Sequence, residues 1–384
     1  REDAFARQVE AVSRIPDDAP YKRAMGAWLA VSFGACGFVG VRLARKLRRG
    51  EALEDSTREP PPWTVIDFTL VFILSLAGQQ VIGAGVRPLV VLDDGRRFEI
   101  AAPVASVSFG TQVVVPGATG ESAAIVHSGE DLVFRVPPVH DAAPPVFLNG
   151  QRLPPGIASE RVLRRGDRFD VGGVRGVLQA PSNVEYLAAV GASSLVAPIL
   201  VLIALRLRGA RPRDLGLRGF TLRGAESCAD DVLRGVVGYF AMVPGTFLAT
   251  ILSSLLCRAF GVSFHEHPLL RTLARENDGA ALLMLLLVAA VIAPISEEVL
   301  FRGFLLRALR RPIPSRAGAI LASSFFFAAF HPGLSSLLPI LWVGSVFSLL
   351  FTSSKRGSLL PAIVCHALFN AVNILLQWGL VRST

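Results

Sequence analysis

Eight stretches of this chain are apolar for long enough to exclude an ordinary water-soluble fold. They are Ala24–Val41, Trp63–Ala84, Tyr186–Leu205, Gly235–Cys257, Ala280–Leu300, Ala317–His331, Leu337–Thr352 and Leu359–Leu380. A helix crosses the hydrocarbon core of a bilayer with ~20 consecutive apolar residues, and several of these stretches reach that length. A mean hydropathy of +0.50 agrees. The expected fold class is a mainly α polytopic membrane protein with about eight transmembrane helices, carrying one inserted all-β domain. The lipid bilayer is thus the first partner that the sequence implies.

A formal net charge of +9 would ordinarily raise the question of nucleic acid. Here the basic residues gather at the ends of apolar stretches, as in RLARKLRRG (Arg42–Gly50). That placement marks cytoplasmic loops, so no nucleic-acid partner is expected. Residues 42–62, 206–234, 303–316 and 355–357 fall on the cytoplasmic side by this rule. Only Lys22, Lys46 and Lys355 are lysine, and the Arg, Ala and Gly bias is common in GC-rich bacterial genomes. The expected location is a bacterial inner membrane. Trp63 reads as an interfacial anchor, and Asp67 as a snorkelling or paired acid. The four cysteines form neither a CxxC pair nor a disulfide framework. Residue 1 is Arg rather than Met, which reads as a trimmed or processed start, and no cleavable signal is expected downstream of it.

Between Gly85 and Pro181 the character changes. Short β-rich runs (LVVLDDGRRFEI, VSFGTQVVV, AAIVHSGEDLVFRV, VFLNGQRL, RFDVGGVRGVLQ) alternate with turn signals, among them Asp94-Gly95. The expected organisation is an N-terminal segment with two transmembrane helices (1–84), a β domain (85–181), a transmembrane helix with a basic loop (184–229) and a helical core (230–384). Alternation of the loops places the β domain outside the cytoplasm, since long translocated domains escape the positive-inside rule. The tail of the β domain, with turns at Asn149-Gly150 and Gly166-Asp167, resembles the C-terminal half of a forkhead-associated sandwich. The phosphopeptide-reading positions of that family are changed: Gly110 is followed by Thr111, and Thr119–Ala123 lacks the histidine. A structural sandwich, or one that binds a protein partner, is expected.

The chemistry-bearing residues lie in the last four apolar stretches. Glu297 and Glu298 end the run Ala280–Ile295. Ionisable groups at membrane depth are costly and mark functional sites by default, although a capping salt bridge is the plain alternative. Glu298 and Arg302 are four apart on one helical face and can pair. Glu297 points roughly 100° away, so one carboxylate is neutralised and its neighbour is not. Phe327 and His331 share a face, as do His366 and Asn370. Glu297 precedes Pro314 by 17 residues and His331 follows it by 17, which puts both about 25 Å from the turn. His366 follows Gly357 by nine residues, about 13 Å. The depths match if the first hairpin protrudes by about 12 Å into the cytosol, which its arginines (Arg302, Arg307, Arg310, Arg311 and Arg316) support. His265-Glu266-His267 reads as a solvated external loop rather than a metal site.

EExxxR (Glu297, Glu298, Arg302), FxxxH (Phe327, His331) and HxxxN (His366, Asn370), in this order, resemble the motifs of the CAAX-protease and bacteriocin-processing family of intramembrane proteases. The resemblance covers residues 230–380. It implies hydrolysis of a peptide bond of a membrane-associated protein or peptide within a membrane cavity. Catalytic residues would be Glu297, Glu298, Arg302, His331, His366 and Asn370. Glu297 and His331 would activate water, His366 and Asn370 would face the oxyanion, and Glu298–Arg302 would hold the site in shape. No cofactor is the preferred scheme. The competing scheme places zinc on Glu298, His331 and His366. Rival functions are a non-catalytic membrane scaffold or an immunity or secretion accessory protein of the same fold, and a proton-coupled transporter.

Overall fold

The computed structural model describes residues 20–49, 55, 57, 59, 61–84, 89–99, 113–114, 124–128, 131–136, 145–153, 159–217, 225–261, 279–331, 333–354 and 357–383. The chain divides into two units, residues 1–79 with 191–384, and residues 80–190. Gly110–Thr111, Thr119–Ala123 and His265–His267 lie outside the described residues.

The first unit is helical. Its helices are α1 (Pro20–Arg48), α2 (Val65–Ala84), α3 (Asn183–Ser194, shared with the other unit), α4 (Val196–Leu207), α5 (Ala225–Ala259), α6 (Gly279–Leu309), α7 (Arg316–Ala329), α8 (Leu337–Thr352) and α9 (Leu360–Ser383). Among the described residues, seven segments are long and apolar enough to cross a membrane, with Asn183–Leu207 counted as one. The chain is an integral membrane protein. The sequence suggests eight spans, and the difference is α7. Its 14 residues extend about 21 Å, short of a ~30 Å hydrocarbon core. Ser315 caps its start, accepting from Gly318 N at 3.3 Å. His331 precedes Pro332, a position that disfavours the helical conformation, so the helix stops there.

Two further expectations change in detail. The third span is two helices, because Pro198 has no N–H for the carbonyl of Ser194. The fifth continues past Leu300 to Leu309, and it is not uniformly α. Residues Val288–Ile292 and Glu298–Leu306 are π-helical, flanking a short α segment, Ala293–Glu297. Pro294 removes the hydrogen bond that would tighten the turn before it, and such widened turns recur at functional sites. α5, by contrast, runs as one helix through Pro244.

Capping residues fix where α2 begins. Asp67 Oδ2 accepts from Thr64 N at 2.8 Å and from Thr64 Oγ1 at 2.9 Å. Its other oxygen pairs with Arg208 Nη2 at 2.6 Å. Asp67 is thus paired, as one of the two expectations had it. The core of this unit is aromatic at its centre. Trp63, Phe301, Phe304, Phe327, Phe347 and Phe351 are all buried in one apolar cluster.

The 80–190 unit holds ten strands among the described residues, in two antiparallel sheets. One has six strands in the order β2-β1-β10-β9-β6-β7, from β1 (Leu89–Leu92), β2 (Arg97–Glu99), β6 (Val146–Leu148), β7 (Gln151–Arg152), β9 (Arg168–Val171) and β10 (Val174–Gln179). The other has the order β3-β4-β5-β8, from β3 (Val113–Val114), β4 (Ala124–Ser128), β5 (Asp131–Val136) and β8 (Ser159–Val162). One apolar cluster joins them: Val90, Phe169 and Leu178 of the first sheet meet Ile125 and Phe134 of the second. The rings of Phe134 and Phe169 stack at 5.9 Å. The expected Asp94-Gly95 hairpin joins β1 to β2, and the Asn149-Gly150 turn joins β6 to β7. Asn149 and Gly150 have φ of 53° and 79°, the pairing that a two-residue turn between twisted strands demands. Asn149 also reaches sideways. Its Nδ2 donates to Asp167 Oδ1 and its Oδ1 accepts from Arg168 N, both at 2.9 Å. The second turn signal, at Gly166, is thereby tied to the first.

Candidate active site

α6 and α7 are antiparallel neighbours in the register that the sequence suggests. Phe301 and Phe327, 13 residues before and after Pro314, touch ring to ring at 5.2 Å. The polar groups converge beside this contact.

Glu298 and Arg302 are both fully buried, joined by a 2.9 Å bond from Arg302 Nη1 to Glu298 Oε1. The other end of the guanidinium donates to Gly344 O on α8 at 3.1 Å. A Cβ at Gly344 would stand 3.2 Å from Arg302 Nη2 and 3.1 Å from the Phe327 ring, so only glycine allows this approach without displacement. Aromatic faces cover the rest of the charge. Arg302 Cζ lies 4.2 Å from the centre of Phe327 and 5.2 Å from that of Phe347, within cation–π range.

Glu298 Oε1 serves a second partner. His366 Nδ1, brought in by α9, lies 2.9 Å away. An ionised carboxylate can only accept, so Nδ1 carries the proton of this bond. Phe347 stacks on the imidazole at 4.6 Å and 24°, and Phe327 meets it edge-on at 5.9 Å. The other nitrogen, Nε2, faces Glu297 Oε2 at 3.7 Å. Glu297 differs from its neighbour in access. Its side chain is 31% exposed, while its buried Oε2 accepts no hydrogen bond among the described residues. The two adjacent acids therefore occupy opposite environments, one sealed and neutralised, the other reachable.

His331, at the end of α7, is oriented by its own helix, with Nδ1 2.8 Å from Phe327 O. A carbonyl only accepts, so Nδ1 donates and Nε2 keeps its lone pair in the neutral ring. Asn370, one turn beyond His366, donates from Nδ2 to Ala289 O at 2.7 Å. Ala289 belongs to the first π-helical turn of α6. The sequence grouped Glu297 with His331, whereas the measured approach to Glu297 is that of His366.

The arginines of the α6–α7 hairpin make contacts within the protein. Arg302 is in the core, Arg310 pairs with Asp55 at 2.8 Å, and Arg316 donates to Thr352 and Ser353. Planar, many-donor guanidinium groups find carbonyl and hydroxyl partners wherever the fold supplies them. Trp63 is likewise no interfacial anchor. It is fully buried, stacked on Phe304 at 5.3 Å, and donates from Nε1 to Phe304 O at 3.0 Å.

The zinc alternative needs three ligands around one point. Glu298 Oε1 is taken by Arg302 and His366, and among the described residues no group of three or more His, Cys, Asp or Glu side chains converges to hold a metal ion. Glu298, His331 and His366 as arranged here do not fit a zinc centre.

Phe347, Gly344, Ser323 and Trp63 carry no signal in the three motifs. Gly344 alone was legible in principle, as a glycine inside an apolar helix, which often marks a close approach.

Fold and site together define a polytopic membrane protein with a charged, partly accessible centre inside its helical bundle. Residues 279–372 match the model of a family described as type II CAAX prenyl endopeptidase Rce1-like. The chain is also similar to the "Putative membrane peptidase YdiL" of Bacillus subtilis (strain 168), with 27% identity over 207 residues, 53% of this chain and 78% of that protein. No solved structure matches the chain significantly. These likenesses support, at the level of the family, a CAAX-type membrane protease.

Proposed function

We propose that this protein is an intramembrane endopeptidase that cleaves a peptide bond of a membrane-associated protein or peptide with water activated by Glu297. The observation that carries the reading is the contrast between the two adjacent carboxylates. Their contacts assign their roles: Glu298 is bonded to Arg302 and His366 inside the core, and Glu297, which is reachable, is left to move a proton.

In the reaction, a water taken up at the reachable Glu297 carboxylate is the nucleophile, with His331 as the second group that activates it. Its oxygen bonds to the carbonyl carbon of the substrate while its proton passes to Glu297. The carbonyl oxygen gains the negative charge. Asn370 has two N–H groups on Nδ2; Ala289 O holds one, which aims the other at the oxyanion. His366, carrying a proton on Nε2 as well, would be the second donor, its charge supported by Glu298. One such donor is typically worth ~3 kcal/mol. The carbon–nitrogen bond then breaks, and the proton on Glu297 goes to the leaving amine.

The basic loops support an inner-membrane orientation with the β unit outside the cytoplasm. Its two sheets over one apolar core agree with a forkhead-associated-like sandwich. Asn149 is occupied within its own turns, which favours a structural role, or binding of a protein partner through another surface.

A co-expression screen tests the proposal. Cells carrying wild type or Glu297→Gln are compared for new peptide termini in membrane proteins by mass spectrometry. Termini present only with wild type support proteolysis. The same termini with both, or with neither, would favour a scaffold of the same fold.

A further inference from the structure

We propose that Trp63 is a positioning residue for the glutamate-bearing helix, acting through the carbonyl of Phe304. The proposal rests on reading the Glu298–His366 cluster as the reactive centre. Trp63 lies far outside the matched segment 279–372, so nothing in the family motifs points to it.

Two observations lead here. The first is the pattern of side chains that bind the π-helical turns of α6 from outside. Widened turns present carbonyls whose second lone pair is open to a lateral donor. Asn370 of α9 donates to Ala289 O at 2.7 Å, Ser323 of α7 to Phe301 O at 3.1 Å, and Trp63 to Phe304 O at 3.0 Å. Phe301 and Phe304 lie on the same π-helical run as Glu298 and Arg302. Three elements thus hold α6 at successive levels, two of them on the run that bears the buried ion pair.

The second is the way in which Trp63 is itself held. The segment before α2 is tied to the α6–α7 turn by arginines that the sequence would have left in solvent. Arg310 pairs with Asp55 at 2.8 Å and donates to Thr57 O at 3.3 Å and to Pro314 O. Arg311 donates to Pro61 O at 2.7 Å. Thr57, Pro61 and Trp63 are buried. The Asp67 cap and its bond to Arg208 fix the chain on the other side of Trp63. An indole immobilised at both flanks, stacked on Phe304 and bonded to its carbonyl, sets both the rotation and the height of that turn. Displacement of the run by a few tenths of an ångström would be felt at Glu298 Oε1, whose two 2.9 Å bonds leave little slack.

The test reads His366, which reports the Glu298 contact without needing a substrate. The full chain is labelled with 15N-histidine in bilayers, and the His366 imidazole signals are assigned by their absence in His366→Gln. Trp63→Phe keeps a ring for the stack and removes the N–H. Trp28→Phe is the control: it removes an indole N–H that goes to Tyr239 Oη on α5 at 3.0 Å and not to α6. Thermal midpoints are recorded for each. We expect the His366 signals to shift or broaden in Trp63→Phe at temperatures where the protein is fully folded, and to match wild type in Trp28→Phe. His366 signals in Trp63→Phe identical to wild type would overturn the proposal, whatever the melting curve does. An equal shift in Trp28→Phe would also overturn it, by showing a general loosening. If instead Glu297→Gln still cleaved, the reading of Glu297 as the base would fail while the Trp63 result stood unaffected.

Discussion

His366 reaches across from α9 to place Nδ1 2.9 Å from Glu298 Oε1, so the HxxxN and EExxxR motifs meet through one carboxylate oxygen. That oxygen is also the acceptor of Arg302. The pair of motifs therefore shares a single buried charge, and each partner's loss should be felt by the other.

The first prediction rests on this sharing. Arg302→Met should destabilise the protein by roughly 3–5 kcal/mol, because it strands the buried Glu298 carboxylate. Adding Glu298→Gln removes the stranded charge and should restore much of the thermal midpoint. A double variant no more stable than the single one would show that the two are not energetic partners.

Gly344→Ala makes a sharper probe of the same pair. The new methyl would press on Arg302 Nη2, Phe327 and Ser324 at 3.1–3.3 Å. We expect a loss of about 1–3 kcal/mol, the usual range for overpacking, measured as a lowered melting midpoint. Wild-type stability would mean that the α8 backbone gives way without cost.

Mechanism divides on metal. Purified protein should keep its cleavage activity after exhaustive chelation, with Asn370→Ala slower by about 10²–10³. One stoichiometric zinc in active protein, lost in both His331→Ala and His366→Ala, would replace the scheme with a metal-dependent one.

Topology can be read with reporters. One that works only outside the cytoplasm should be active when fused near Gly150 and silent at Gly50. The reverse pattern would place the β unit in the cytosol and reopen a signal-reading role for it.

In the β unit, Asn149→Ala should loosen two turns at once. It loses both bonds to the Asp167–Arg168 turn and places a Cβ residue without local hydrogen bonding at φ 53°, a strain of roughly 1–2 kcal/mol. Faster cleavage by added protease between residues 145 and 170 would show it. Unchanged resistance would mean that the sheets hold without the tie.

The sequence by itself determined the membrane class, the β insertion with both its turn signals, and the three motifs with their family. These are carried by local quantities: apolar run length, turn chemistry, and residues four apart on one helical face. Even the depth match of α6 and α7 was legible, because helical rise makes counting from Pro314 a measurement of height. Only the tertiary structure decided which imidazole stands at Glu297, since that depends on the rotation of α9 against α6 and no spacing within either helix encodes it. The π-helical turns, the 14-residue α7 and the burial of Trp63 were likewise out of reach. A tryptophan beside a proline run looks interfacial in sequence. It becomes a core group only when a carbonyl on another helix, Phe304 O, arrives to accept its hydrogen bond.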